Sequence, residues 1–160
     1  MRLFPALLGL VLAGCGSEGA EGLRVPPPTD FAQFTRSAAP HTALAAPAGT
    51  TSTPDFVAPV YPVPASRLYR AIRAAAAAQP RTYEQIAYHD RMQAHWVVRS
   101  AVLNFPDLVA AQVTPRGRQA STLTLFSTSL YGYYDFGVNR RRLRAWLAAL
   151  DAALAQEPGS

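Results

Sequence analysis

The sequence predicts an α+β domain, an antiparallel sheet of about four to five strands with two amphipathic helices on one face, in the order β-α-β-β-β-β-α. Three observations predict it. Leu143, Trp146, Leu147, Leu150 and Leu154 fall at i, i+3, i+4, i+7 and i+11, the apolar stripe of an amphipathic helix. Met92, Ala94, Trp96 and Val98 alternate with Gln93, His95, Val97 and Arg99, the period of a strand. Short turn sequences separate the strand-like runs, which favours consecutive hairpins and a layer of helix on one side.

Taken in order, residues 55–63 are rich in Val, Tyr and Pro and read as an edge strand or extended segment. Pro64 suits the first turn of a helix running to about Gln79, where Pro80 ends it. Leu68, Ile72, Ala75 and Ala76 share one face of that helix, and Arg67, Arg70 and Arg73 another. The arginine row is most simply a solvated face; contact with lipid headgroups is the sharper alternative. Residues 83–88 and 91–99 flank His89-Asp90 as a hairpin. A strand follows Asn104-Phe105-Pro106-Asp107 and runs to Val113; Pro115-Arg116-Gly117 turns it back into residues 121–129. The second face of the sheet is left exposed or is folded over by the segment that precedes the domain.

The N-terminus carries an address. Met1-Arg2 is a minimal positive region and Leu3 to Val11 an apolar run too short to span a bilayer. Leu12-Ala13-Gly14-Cys15 then matches a lipobox at all four places, with small residues before the cysteine that receives the lipid. The organisation expected is a signal peptide over residues 1–14, a lipidated tether over 15–30, an extended strap over 31–54 and the α+β domain over 55–156. Acylation of Cys15 implies palmitate and a lipid-bilayer partner, since several acyl chains on one residue anchor stably. Gly16 stands where aspartate often retains a lipoprotein at the inner membrane, so the periplasmic face of the outer membrane is favoured. Pro26-Pro27-Pro28 stiffens the tether, while Phe31, Phe34 and Leu44 suit a strap lying on the domain surface.

Composition excludes some functions. Hydrophobic residues make up 49% of 160, enough for a core, and the net charge of +5 comes entirely from arginine. An exported basic protein meets anionic lipids, acidic glycans, small anions or a partner protein, and not nucleic acid. With its one cysteine lipidated, the domain has no thiol for a disulfide or a metal. His41, His89 and His95 lack ligand spacing, so neither metal nor cofactor is expected.

The densest chemistry lies late in the chain. Ser127-Thr128-Ser129-Leu130-Tyr131-Gly132-Tyr133-Tyr134-Asp135-Phe136-Gly137-Val138-Asn139-Arg140 resembles the signature S-x-S-R-x-G-x-x-D-x-G-x-N-R of the bacterial envelope family catalogued as domain of unknown function fourteen-ninety-nine. Asn104-Phe105-Pro106-Asp107 resembles that family's aromatic-Pro-Asp motif, and Ala78-Gln79-Pro80-Arg81-Thr82 its helix exit. The resemblance extends from about Phe31 to Leu150, and it implies a small envelope domain without naming a substrate. Leu130 stands where the signature often has arginine, and His41 where the strap often has asparagine.

Read from the residues themselves, Asn139 is suited to cap the last helix, and Arg140, Arg141 and Arg142 crowd its first turn, where the dipole favours negative charge. An ion pair between Asp135 and Arg140 would make a self-contained turn lock, the favoured reading. The functional alternative is an anion site built from Asn139, Arg140, Arg141, Asp135, Ser127 and Ser129. Asp107 with Asp135 could serve as the acid and base of a hydrolase, although a turn-capping Asp107 is preferred. Tyr131, Tyr133, Tyr134 and Phe136 line a groove or interface in one reading and pack across strands in the stronger one. The function expected is a non-enzymatic binding or interaction module anchored at the envelope, with a small-anion or amphipathic-ligand binder using the turn from Asp135 to Arg142, and the hydrolase, as alternatives.

Overall fold

The computed structural model describes residues 19–50 and 52–156. The signal peptide expected over residues 1–14 and Cys15 lie outside these residues. Seven strands form one sheet with the path β2-β1-β7-β6-β5-β4, and β3 pairs separately with β7. The strands are β1 (Thr42–Ala46), β2 (Phe56–Val57), β3 (Val60–Tyr61), β4 (Thr82–Tyr88), β5 (Gln93–Arg99), β6 (Pro106–Pro115) and β7 (Ser121–Ser129); the helices are α1 (Ala65–Ala77) and α2 (Val138–Gln156). The α+β class with two helices is as expected. The sheet, however, is larger than four to five strands and is mixed, because β1 and β2 run parallel while the other pairs are antiparallel.

Four strands follow the sequence closely. From β4 to β7 each strand pairs with the next, and the β6–β7 hairpin is in register from Asp107↔Ser129 to Pro115↔Ser121. Pro106 opens β6, a strand position that tolerates the missing N–H. The 55–63 segment forms only two dipeptide bridges, β2 and β3, because Pro59 and Pro62 interrupt the ladder.

One face of the sheet packs on α1 and α2. Leu143, Trp146 and Leu150 of α2 and Leu68 and Ile72 of α1 are buried, as the periodicity requires. Each such side chain contributes roughly 1.5–3 kcal/mol relative to exposure. Ala71, Ala75 and Ala76 let α1 approach closely, and Trp146 meets Trp96 of β5 edge to face at 5.3 Å. Ala94 and Val98 join Trp96 in this layer.

The opposite face is covered as well. Residues 19–36 run across it, and their proline-rich backbone supplies carbonyls with no partner within the segment. Side chains from the sheet donate to them: Arg99 Nε to the Gly19 carbonyl at 2.7 Å, Gln85 to Arg24, and the Tyr88 hydroxyl to Pro26 at 2.6 Å. Gln93, fully buried, both donates to the Thr29 carbonyl and accepts from its N–H. Phe34 packs against Phe126 with ring centroids 4.7 Å apart. The segment read from composition as tether therefore lies along the sheet from Gly19 onward, and part of the 31–54 strap enters the sheet as β1.

Candidate functional site

The strands β6 and β7 deliver Asp107, Ser127 and Ser129 to the same end of the sheet, where α2 begins. Asp135 starts that helix. Its Oδ1 accepts the N–H of Gly137 at 2.8 Å and its Oδ2 the N–H of Asn139 at 2.8 Å, while its carbonyl accepts from Val138. Capping thus falls to Asp135 and not to Asn139. The geometry needs Gly137, whose φ of 74° is costly for residues with a Cβ. Partial burial raises the Asp135 pKa, but the N–H groups of Asn139 and Gly137 and the Asn139 amide outweigh it, holding the carboxyl below its ordinary value.

Asn139 is 0% exposed and sits at the hub. Its Nδ2 lies 2.9 Å from the His41 carbonyl, the Ser129 hydroxyl and Asp135 Oδ2, and its Oδ1 accepts from the Ser127 hydroxyl and Arg142 Nη1, each at 2.5 Å. Arg142 also donates to Ser127 at 3.0 Å and pairs through Nη2 with Asp107 at 2.5 Å, both side chains being 10% exposed. One continuous network therefore joins Asp107, Arg142, Asn139, Ser127, Ser129 and Asp135, tying the segment before β1 to β7 and α2. The helix start already holds an anion, and that anion is the chain's own Asp135.

Arg140 turns away. It is half exposed and faces Asp55 at 3.2 Å, not Asp135. The same Asp55 carboxylate pairs with Arg36 and accepts the N–H of Leu44 at 2.9 Å, so it clasps strap, β1 and α2 together. Arg140 and Arg144 also lie over the Phe56 ring, at 5.7 and 5.4 Å. Arg141 is exposed and donates to the Phe136 carbonyl at 2.8 Å. Of the six anion-site candidates, then, Asp135, Ser127, Ser129 and Asn139 meet one another, and the two arginines do not join them. Arg142 was legible, since it lies three residues from Asn139 on the same helix face. Asp55 carried no local signal.

The arginine row on α1 divides. Arg73 forms a double hydrogen bond with Glu84 of β4 at 2.8 and 2.7 Å, and Arg67 donates to the Leu154 carbonyl of α2 at 3.2 Å. Tyr131, Tyr133, Tyr134 and Phe136, expected mainly as cross-strand packing, are exposed instead on the loop between β7 and α2. Among the described residues no group of three His, Cys, Asp or Glu side chains could hold a metal, and no helix is long and apolar enough to cross a membrane.

At the opposite end of the sheet lies a concavity of about 500 Å³ between the strap and the far half of the β6–β7 hairpin. Thr50, Thr114, Thr122, Thr124, Arg91 and Arg116 line it. It offers hydroxyls and two guanidinium groups beside the Asp30 carboxylate, with Phe31, Ala32 and Pro47 as its apolar wall. Beneath residues 26–29 a smaller cavity of about 110 Å³ is lined by His95, whose burial lowers its pKa to about 4, and by Gln85, whose buried Oε1 has no partner among the described residues.

The model of the family described as Protein of unknown function (DUF1499) matches residues 27–150, and the chain belongs to that family. No curated protein matches it. Among solved structures it is similar to the protein TTHA0849 from Thermus thermophilus, with 12% identity over 73% of this chain and 99% of that one and a TM-score of 0.40. It is also similar to a Thermobifida fusca protein solved by NMR, with 9% identity over 67% and 82% of the two chains and a TM-score of 0.41.

Proposed function

We propose that this member of the DUF1499 family is an envelope lipoprotein, acylated on Cys15, whose domain is a binding module and not an enzyme. The observation that carries the second half is the state of its candidate chemical groups. Asp107 holds Arg142, Asp135 holds the start of α2, and Asn139 bonds on every side within the protein. A general acid or base needs a carboxylate that can reach a substrate proton, and these two carboxylates are engaged inside the fold. The lipobox Leu12-Ala13-Gly14-Cys15 supports the anchor.

An anionic envelope component is the ligand class that fits, and the concavity bearing Arg91 and Arg116 has room for it. Two measurements test the proposal. Cell fractionation with mass analysis of the N-terminus should give a membrane-bound, acylated Cys15, lost in Cys15→Ser; a membrane-bound Cys15→Ser form without acyl chains would reject the anchor. A thermal-shift titration with phosphorylated and carboxylated glycans should raise Tm saturably, by about 2.7 kcal/mol of stability at ~100 times Kd. Loss of that rise in Arg116→Ala assigns the concavity, and loss in Arg140→Ala alone assigns the helix turn.

A further inference from the structure

We infer that the end of the sheet bearing the 100–105 turn and the 130–137 loop is the surface on which the domain rests against a phospholipid bilayer. The inference rests on the lipid-anchor reading and specifies which side of the domain meets the membrane. Three observations carry it.

The first is a concentrated apolar surface. Val102 is 91% exposed and Phe136 87%, and Leu103, Phe105, Tyr131 and Tyr134 are exposed beside them. The two loops are neighbours: the Leu130 N–H donates to the Pro106 carbonyl, and the Phe105 and Tyr131 rings are 5.8 Å apart. The turn is closed at its base by Ser100 and Phe105, which exchange hydrogen bonds at 2.9 Å, so Val102 and Leu103 are held at a tip. Phe136 is held outward on a backbone with φ of 52°, a conformation that a bulky side chain rarely adopts. Clusters of this kind on a surface mark a contact with a partner or a membrane.

The second is where the chain arrives. Arg99 ends β5 at this end, donates to the Gly19 carbonyl at 2.7 Å and reaches the Asn104 carbonyl of the turn at 3.2 Å. Gly19 lies flat on the Tyr83 ring, where a Cβ would come within 2.2 Å of a ring carbon. Cys15 is four residues away, a span of at most roughly 14 Å. An acyl anchor there has no slack to carry the domain away from the lipid, and this end is the one within reach.

The third is charge. Arg81, Arg99 and Arg141 surround the patch, and the acidic groups near it are engaged: Glu21 accepts the Gly19 N–H, Asp107 holds Arg142 and Asp135 caps α2. Aromatic and aliphatic tips ringed by arginine suit an anionic headgroup layer. In that orientation the Arg91–Arg116 concavity opens away from the bilayer.

The test uses the chain from residue 15 onward with Cys15→Ser, which keeps every described residue and carries no lipid. Phe136→Trp supplies a reporter, since Trp96 and Trp146 are buried and give a constant background. Vesicles of phosphatidylethanolamine and phosphatidylglycerol should shift its emission to the blue, and Leu103→Ser should weaken partition about tenfold with the circular dichroism unchanged. No shift and no co-sedimentation of the folded chain overturns the inference. So does a concentration-dependent dimer that Leu103→Ser abolishes, which would give the patch to a second copy. Because no acyl chain is present, either result is independent of whether Cys15 is lipidated in cells.

Discussion

Along β5, Ala94, Trp96 and Val98 turn toward α1 and α2, whereas Gln93, His95 and Val97 turn toward the N-terminal segment, and both sets are buried. The first face is closed by apolar side chains that interlock, as Trp96 does with Trp146. The second is closed largely by side-chain donors reaching the carbonyls of a chain without regular structure, as Tyr88, Gln93 and Arg99 do. Apolar burial is cooperative and resists local opening, while a hydrogen bond to a strap nets only about 0.5–1.5 kcal/mol. The helix face should therefore set global stability, and the strap face should open separately.

Trp146→Ala is the strongest challenge to that contrast. It should cost about 3–5 kcal/mol and lower the urea midpoint of the whole domain, because the cavity opens against both β5 and α1. A loss confined to the strap amides in hydrogen exchange would break the contrast outright. Arg142→Ala should cost a similar ~3–5 kcal/mol by leaving the Asp107 carboxylate buried without its partner. Replacing Asp107 and Arg142 together by leucine should recover most of this loss in chemical denaturation, which separates a buried ion pair from simple packing.

Smaller effects belong to the strap. Gln93→Ala removes a two-way bond with Thr29 and should cost about 1–3 kcal/mol. Its signature is faster exchange of amides in residues 19–36 with the exchange of α2 unchanged; uniform acceleration would mean the two faces unfold as one.

The last effect is a pH dependence. Burial lowers the His95 pKa to about 4 against about 6.5 when unfolded. Between these values the unfolded chain binds a proton that the folded chain refuses, so this contribution is complete above about pH 6.5 and lost as pH falls toward 4. Tm should fall across that window, and His95→Gln should flatten the slope. Asp135, held below its ordinary pKa, begins to lose its contribution only below about pH 5, so the slope between about pH 5 and 6.5 reports His95.

Much of the helix face was legible because its physics is local. Leu143, Trp146 and Leu150 recur with the helical period, and β4 to β7 alternate between short turns. The strap face was legible only as one of two alternatives. Thr42–Ala46 carries three alanines and no alternation, because both of its faces are buried, and its pairing with β7 is set by a partner some eighty residues away. The candidate site was legible in part. The sequence brought Ser127, Ser129, Asp135 and Asn139 forward, but which side chain bonds which depends on how β6, β7 and α2 converge.

By itself, the sequence determined the α+β class, the two helices, the hairpin order and the family signature, since these follow from periodicity, turn chemistry and contiguous motifs. Only the tertiary structure decided that Asp135 caps α2, that Arg142 pairs with Asp107 and Arg140 with Asp55, and that residues 19–36 close the second face. Those outcomes are choices among several equally charged partners and several unpaired carbonyls. Distance alone selects among them, and distance exists only once the chain has folded.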